Sequence, residues 1–174
     1  MVSLESLNEK VIGISQQGDK YVAGVFTPKG LYATSLPRGS VDEAIEAVDG
    51  FDLPEVKNAE YQRILGIVFD IYNGKKVAAN RLPNLDFSDL TPKQVAVLKT
   101  TMKIPYGSTM SYGLIAQLAK VPGAARFVGN VMARNRLAPI VPCHRVISTT
   151  GLGGYNGGLD LKISLLTKEG AFAD

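Results

Sequence analysis

"SYGLIAQLAKVPGAARFVGNVMARN" (residues 111–135) decides how the second half of this chain folds. Two short stretches with helical apolar spacing flank the turn-forming "VPG". The first sets Leu114, Ile115 and Leu118 on one face. The second carries Ala124, Ala125, Gly129 and Ala133, small residues that make a thin helix around Arg126. Two short helices across a tight Pro/Gly turn predict a helix-turn-helix or, more commonly in proteins at large, a plain helical hairpin.

Outward from there, "TPKQVAVLKTTMKI" opens with Thr91 as N-cap and Pro92 at the first helical position, with Val95, Val97, Leu98 and Met102 as its inner face. Downstream lie "APIVPCHRVIS" (residues 138–148), the glycine-rich "GLGGYNGG" and a closing helix "LDLKISLLTKEG". The first third reads as β: Val11–Ser15, Tyr21–Phe26 and Leu31–Leu36, separated by "QQGD" and "TPKG", predict an antiparallel meander. A helix follows, with Ser40 and Glu43 as a capping box and Gly50 closing it. Tyr61, Ile64, Leu65, Val68, Phe69 and Tyr72 give a second helix its inner face, and Gly74 its stop. "RLPNLDFSDL" reads as a linker with a short strand at most. The fold class expected is therefore α/β (α+β), with an N-terminal domain over residues 1–88 and a mostly helical C-terminal domain over 89–174.

The chain has 174 residues, 45% of them hydrophobic and 20% charged, as in a globular protein. No stretch reaches the ~20 apolar residues of a membrane span, and the N-terminus shows neither signal peptide nor anchor. One cysteine and one histidine exclude an intrachain disulfide and a Cys/His zinc site, and point to a reducing, cytoplasmic compartment. The net charge of +3 is unevenly spread. Residues 1–90 hold nine Lys/Arg against thirteen Asp/Glu; residues 91–174 hold ten against three. A basic half suits a polyanion, or is simply a solvated surface.

Cys143 and His144, the only residues of their kinds, are adjacent. Cys143 is either a small buried hydrophobe or a nucleophile favoured as thiolate by His144 and Arg145. On an extended strand, neighbours point to opposite faces, so either the segment leaves the strand at Pro142 or a water carries the proton. His144 needs a carboxylate to fix its tautomer. Asp160, Glu169 and Asp174 are the only ones in the basic half, and Glu169, on the last helix, is the best placed. "GLGGYNGG" fails both nucleotide-binding glycine patterns and reads as a pocket wall carrying Tyr155, or as a plain loop. Arg126 is a solvated charge on a tightly packed helix, or a side chain able to enter a base stack.

"PCHRV" (residues 142–146), preceded by "SYGLIAQLA" and "AARFVGNVMARN" and followed by "GLGGYNGGLDLK", strongly resembles the O6-alkylguanine-DNA alkyltransferase family of DNA repair proteins. The resemblance runs nearly continuously from Thr91 to about Gly170. It implies a ribonuclease H-like sheet in the N-terminal domain. It implies Cys143 as alkyl acceptor, His144 as the base acting through a water, Glu169 as its orienting carboxylate and Asn135 as a ligand of that water. It implies DNA contacts at Arg126, which fills the gap of a flipped base, at Tyr112, which helps push the nucleotide out, and at Gly113, Ala125, Gly129 and Thr149. It implies a base pocket with Tyr155, Asn156, Met132 and Val146; Asn156 stands where some relatives carry serine. The substrate implied is double-stranded DNA carrying O6-alkylguanine, repaired once by a monomer without cofactor. Some members hold a structural zinc in the N-terminal domain; with no Cys or His there, none is expected. Two other readings remain: a damage-recognising DNA-binding protein without transfer, and a helix-turn-helix regulator. A thiol hydrolase is a fourth.

Overall fold

A computed structural model describes residues 9–172. Met1–Asn8, where the expectation about targeting begins, and Asp174 lie outside the described residues. The chain forms two compact units, one drawn from Met1–Tyr72 and Val77–Ser88, the other from Asn73–Lys76 and Asp89–Asp174.

In the first unit, β1 (Val11–Gln17), β2 (Lys20–Thr27) and β3 (Gly30–Thr34) form an antiparallel sheet in chain order. β1 and β2 pair from Val11↔Phe26 to Gln17↔Lys20, and Gly18 takes the positive φ that this tight turn requires. α1 (Val41–Ala47) lays Ala44 against Ile12 and Ala23. α2 (Ala59–Tyr72) packs on the residues between them: a Cβ on Gly24 would come within 2.7 Å of Leu65, and one on Gly13 within 3.4 Å of Tyr61. Because side chains alternate along a strand, α1 and α2 cover opposite faces of the sheet. α2 buries Ile64, Leu65, Ile67, Val68, Phe69 and Ile71, a wider stripe than expected, while Tyr61 and Tyr72 lie at its edges.

Two local readings change. Ser40 caps α1 by accepting from the Glu43 N–H, but the left-handed residue ending it is Asp49 (φ 52), not Gly50. Gly50 is needed for space: a Cβ there would meet Ile12 at 2.5 Å. In "RLPNLDFSDL", Leu85 bridges in parallel to Leu31, so the linker is stitched to the sheet edge. Buried Asp86 anchors it, accepting from Thr27 Oγ1 (2.6 Å) and the Ser88 N–H (2.8 Å).

The second unit begins with α3 (Pro92–Thr101), whose Thr91–Gln94 pair forms a complete capping box. Its inner face is Val97, Leu98, Thr100 and Thr101, with Val95 and Met102 only half-buried. The threonines can point inward because each hydroxyl donates to a carbonyl one turn back, Thr101 to Val97 and Thr100 to Ala96. Next come β4 (Met110–Ser111), α4 (Tyr112–Leu118) and α5 (Ala125–Ala133). α4 and α5 pack on each other and both on α3, the expected helix-turn-helix arrangement. α4 buries Ile115 and Ala116, whereas Leu114 and Leu118 are 40% and 52% exposed. The inner face expected there is therefore rotated toward Ala116, a residue small enough for close helix approach. β5 (Val146–Ile147) pairs in parallel with β4 and ties the start of α4 to the segment after Cys143. α6 (Leu159–Lys168) closes the unit. No helix among the described residues is long and apolar enough to cross a membrane.

Candidate active site

Cys143–Arg145 form a single 3-10 turn between Pro142 and β5, so the segment does leave the extended path at Pro142. Neighbouring side chains on such a turn fan out at about 120° instead of opposing each other. Cys143 is 4% exposed and His144 fully buried. His144 Nε2 lies 2.9 Å from Glu169 Oε1. Glu169 is the C-cap residue of α6, so the helix end positions the carboxylate.

Burial works against the charge of Glu169, but hydrogen bonds from His144 and Arg145 outweigh it and bring its pKa down to about 2. An ionised carboxylate can only accept, so His144 Nε2 carries a proton and Nδ1 presents a lone pair. That Nδ1 is buried and has no hydrogen-bond partner among the described residues. Burial lowers the His144 pKa, only partly offset by Glu169, so the ring is a neutral base at physiological pH.

Arg145 does not serve the thiol as expected. Its Nε and Nη2 both donate to Glu169 at 2.9 Å and its Nη1 to the Ile104 carbonyl at 3.0 Å. Burial pushes the Cys143 thiol up, against the lowering effects of an Asn135 hydrogen bond and the Lys162 charge. The resting sulfur is therefore a thiol, and it needs a base. Asn135 also closes the preceding loop, donating to the Val141 carbonyl and accepting from the Leu137 N–H, both at 2.9 Å.

Cys143 opens onto a cavity of about 380 Å³, lined also by Tyr112, Met132, Tyr155 and Asn156 and by the backbone of Gly129 and Gly154. This lies within the ~300–1,000 Å³ of small-molecule pockets. Asn156 is held by donating to the Ala133 carbonyl. Tyr112 lies against the glycine-rich loop: Gly153, at φ 71, has no room for a Cβ, which would meet the Tyr112 hydroxyl at 2.6 Å. Val146, expected in the pocket, is wholly buried outside it; β-pairing turns it inward, and its carbonyl accepts from Lys162. Gly129, expected at a DNA surface, borders the cavity. Arg126 is exposed one turn earlier on the same helix, and Gly113, Ala125 and Thr149 are exposed too.

Lys162 was not foreseen. It is fully buried, and its Nζ donates to the carbonyls of Val146 (2.7 Å), Leu152 (2.5 Å) and Gly154 (3.0 Å). An ammonium has three protons, and all three are used. Burial brings its pKa down to about 8, which still leaves it charged at neutral pH. Its spacing from Leu165 and Leu166 marks an inward position that helical periodicity alone could have flagged.

Residues 92–171 match the family model described as 6-O-methylguanine DNA methyltransferase, DNA binding domain. A Mycobacterium leprae methylated-DNA--protein-cysteine methyltransferase is 52% identical over 80 residues, 45% of this chain and 48% of that protein. The chain thus matches about half the length of that relative. A protein of the same name from Methanopyrus kandleri is 44% identical over 93 residues, 50% of this chain and 70% of that one. The chain belongs to the methylated-DNA--protein-cysteine methyltransferase family. A structure titled as Mycobacterium tuberculosis OGT in complex with DNA superimposes with a TM-score of 0.70 at 29% identity, covering 92% of each chain. The family likeness thus extends in structure across both units, beyond the span where sequence carries it.

Acid unfolding should report on the site. Glu169 titrates near 2 in the folded protein and near 4.5 when unfolded. Its contribution to stability is complete above pH 4.5 and is lost as pH falls toward 2. His144, kept neutral by folding, adds loss as pH drops below its ordinary 6.5. Urea midpoints measured against pH should therefore fall less steeply on the acid side in Glu169→Gln than in wild type.

Proposed function

We propose that this chain repairs DNA by transferring the alkyl group of O6-alkylguanine irreversibly to Cys143, one turnover per molecule. The observation that carries this reading is a buried thiol at a base-sized cavity beside a neutral, carboxylate-held histidine. The alkyl carbon of a stacked base is out of reach in a duplex, so the nucleotide must be flipped into the cavity. His144 takes the Cys143 proton through a water that Asn135 helps to hold, and the sulfur attacks the alkyl carbon in line. The carbon–oxygen bond breaks as the carbon–sulfur bond forms, and guanine leaves with its electron pair. Tyr112, at the cavity wall, donates to the departing base. Glu169 orients His144. Tyr155, Met132 and Asn156 hold the base.

The exposed Gly113, Ala125, Arg126 and Thr149 face DNA, and the basic half of the chain holds the phosphates with an affinity that falls as salt rises. The protein works as a cytoplasmic monomer, nucleoid-associated when on DNA, and needs no cofactor. The test is incubation with duplex DNA carrying labelled O6-methylguanine: up to one label per protein chain should become covalently bound. No transfer, with undamaged DNA bound at one preferred sequence, would instead support a regulator.

Arg126 has its own test. If it fills the place of the flipped base, Arg126→Ala should slow repair of duplex DNA by on the order of tenfold or more, since unstacking a base costs a few kcal/mol. Reaction with free O6-benzylguanine should be nearly unchanged, because no duplex gap then needs filling. Equal losses on both substrates would remove the finger role.

A further inference from the structure

We propose that Tyr106 is a positioning residue of the transfer reaction: its hydroxyl fastens the end of α6 and so holds Glu169 against His144. This rests on the alkyl-transfer reading above and extends the site beyond the residues that line the cavity. Glu169 follows Lys168, the last helical residue of α6. The last carbonyls of a helix lack partners within it, and helix ends fray. A side chain carried there keeps a fixed place only where something outside the helix holds it. His144 can take the thiol proton at Nδ1 only while Nε2 carries the other, and that tautomer is set by the 2.9 Å contact with Glu169. The carboxylate therefore has to stay within about 0.5 Å of its place.

The "IPYG" loop (residues 104–107), between α3 and β4, supplies that hold. The Ile104 carbonyl accepts from Arg145 Nη1 at 3.0 Å, while Arg145 grips Glu169 through Nε and Nη2. The Tyr106 ring faces the same guanidinium, its centroid 5.8 Å from Arg145 Cζ. That is inside the ~6 Å reach of a cation–π contact. Gly107, at φ 81, runs so close to the end of α6 that a Cβ on it would stand 3.0 Å from the Glu169 carbonyl. The Tyr106 hydroxyl completes the set. It donates to the Gly74 carbonyl and has the Lys168 carbonyl at 3.3 Å. Lys168 is the residue before Glu169, and its carbonyl lies in the last turn, beyond the reach of the helix's own N–H groups. Gly74 in turn is pressed against α6: a Cβ there would meet the Lys168 Cβ at 2.5 Å. One phenol thus joins the segment Asn73–Lys76 of the second unit to the end of α6, directly beside the carboxylate.

Tyr106→Phe removes the hydroxyl and keeps the ring against Arg145. Single-turnover transfer from methylated duplex DNA should show a limiting rate about two- to tenfold lower, the span of one lost hydrogen bond. The half-saturating DNA concentration should stay that of wild type. His144 is the only histidine in the chain, so its ring can be read directly by nitrogen NMR of isotope-labelled histidine. In wild type the ring proton should sit on Nε2 and exchange slowly. In the variant it should exchange faster, and the signal of the Nδ1-protonated tautomer should grow. Unchanged His144 signals, with or without slower transfer, would overturn the proposal, as would a wild-type limiting rate or a loss confined to DNA half-saturation. The histidine signals need no substrate. A wild-type protein that fails to transfer label therefore sinks the transferase reading separately from the positioning role.

Discussion

No label is expected on a Cys143→Ala protein at any incubation time, while its affinity for duplex DNA stays within about twofold of wild type. The effect should be complete because the described residues hold no other thiol, and because the cavity opens onto this one sulfur. The change itself is mild for the fold. It removes one buried atom, and losses for such small core truncations are about 1 kcal/mol. A folded protein that binds DNA and accepts no alkyl group is thus the expected result, read by gel-resolved label and by a melting curve on the same sample. Label retained on the variant would mean that another atom is the acceptor. Steady turnover of an ester by wild type, abolished in the variant, would instead make Cys143 a hydrolytic nucleophile.

The second large effect is expected at Lys162. Lys162→Met keeps all but the last atom of the side chain's length and removes its charge and donors. The carbonyls of Val146, Leu152 and Gly154 then lose their partner together. Leaving the buried Val146 carbonyl unsatisfied costs about 1–3 kcal/mol, while Leu152 and Gly154 are partly open to water and add less. In a chain of this size that lowers the melting temperature by about 2–12 °C. Transfer should slow as well, because Leu152 and Gly154 belong to the loop that brings Tyr155 to the cavity and rests on Tyr112. Lys162→Arg should rescue little, as the planar fork cannot occupy a cage built around a compact ammonium. A Lys162→Met protein melting with wild type would show that the cage is not structural.

What could be read from the sequence is what local chemistry decides. The β1–β2–β3 meander follows from two turn signals, and the start of α3 from Thr91, Pro92 and Gln94. The juxtaposition of Cys143 and His144 is covalent, and Glu169 was one of only three carboxylates available to the histidine. What could not be read depends on partners distant in sequence. Which faces of α3 and α4 turn inward is decided by the other helices, so Thr101 is buried and Leu118 exposed against their polarity. Arg145, two residues from the thiol in sequence, is drawn away by Glu169, 24 residues on. Helical spacing from Leu165 and Leu166 marks Lys162 as inward, but the three carbonyls that make a buried ammonium tolerable come from two separate segments, which no local pattern announces.

Glu169 carries one negative charge and faces two basic residues. The Arg145 guanidinium supplies one positive charge, so the trio is neutral only while His144 is neutral. A proton arriving on His144 makes it a buried cation, tolerable as long as the sulfur beside it is an anion. In the proposed transfer that sulfur becomes a thioether, its counter-charge is gone, and the imidazolium is driven to release what it holds. The trio thus acts as a lender: under the proposed transfer, the proton borrowed from the thiol is one the site cannot keep.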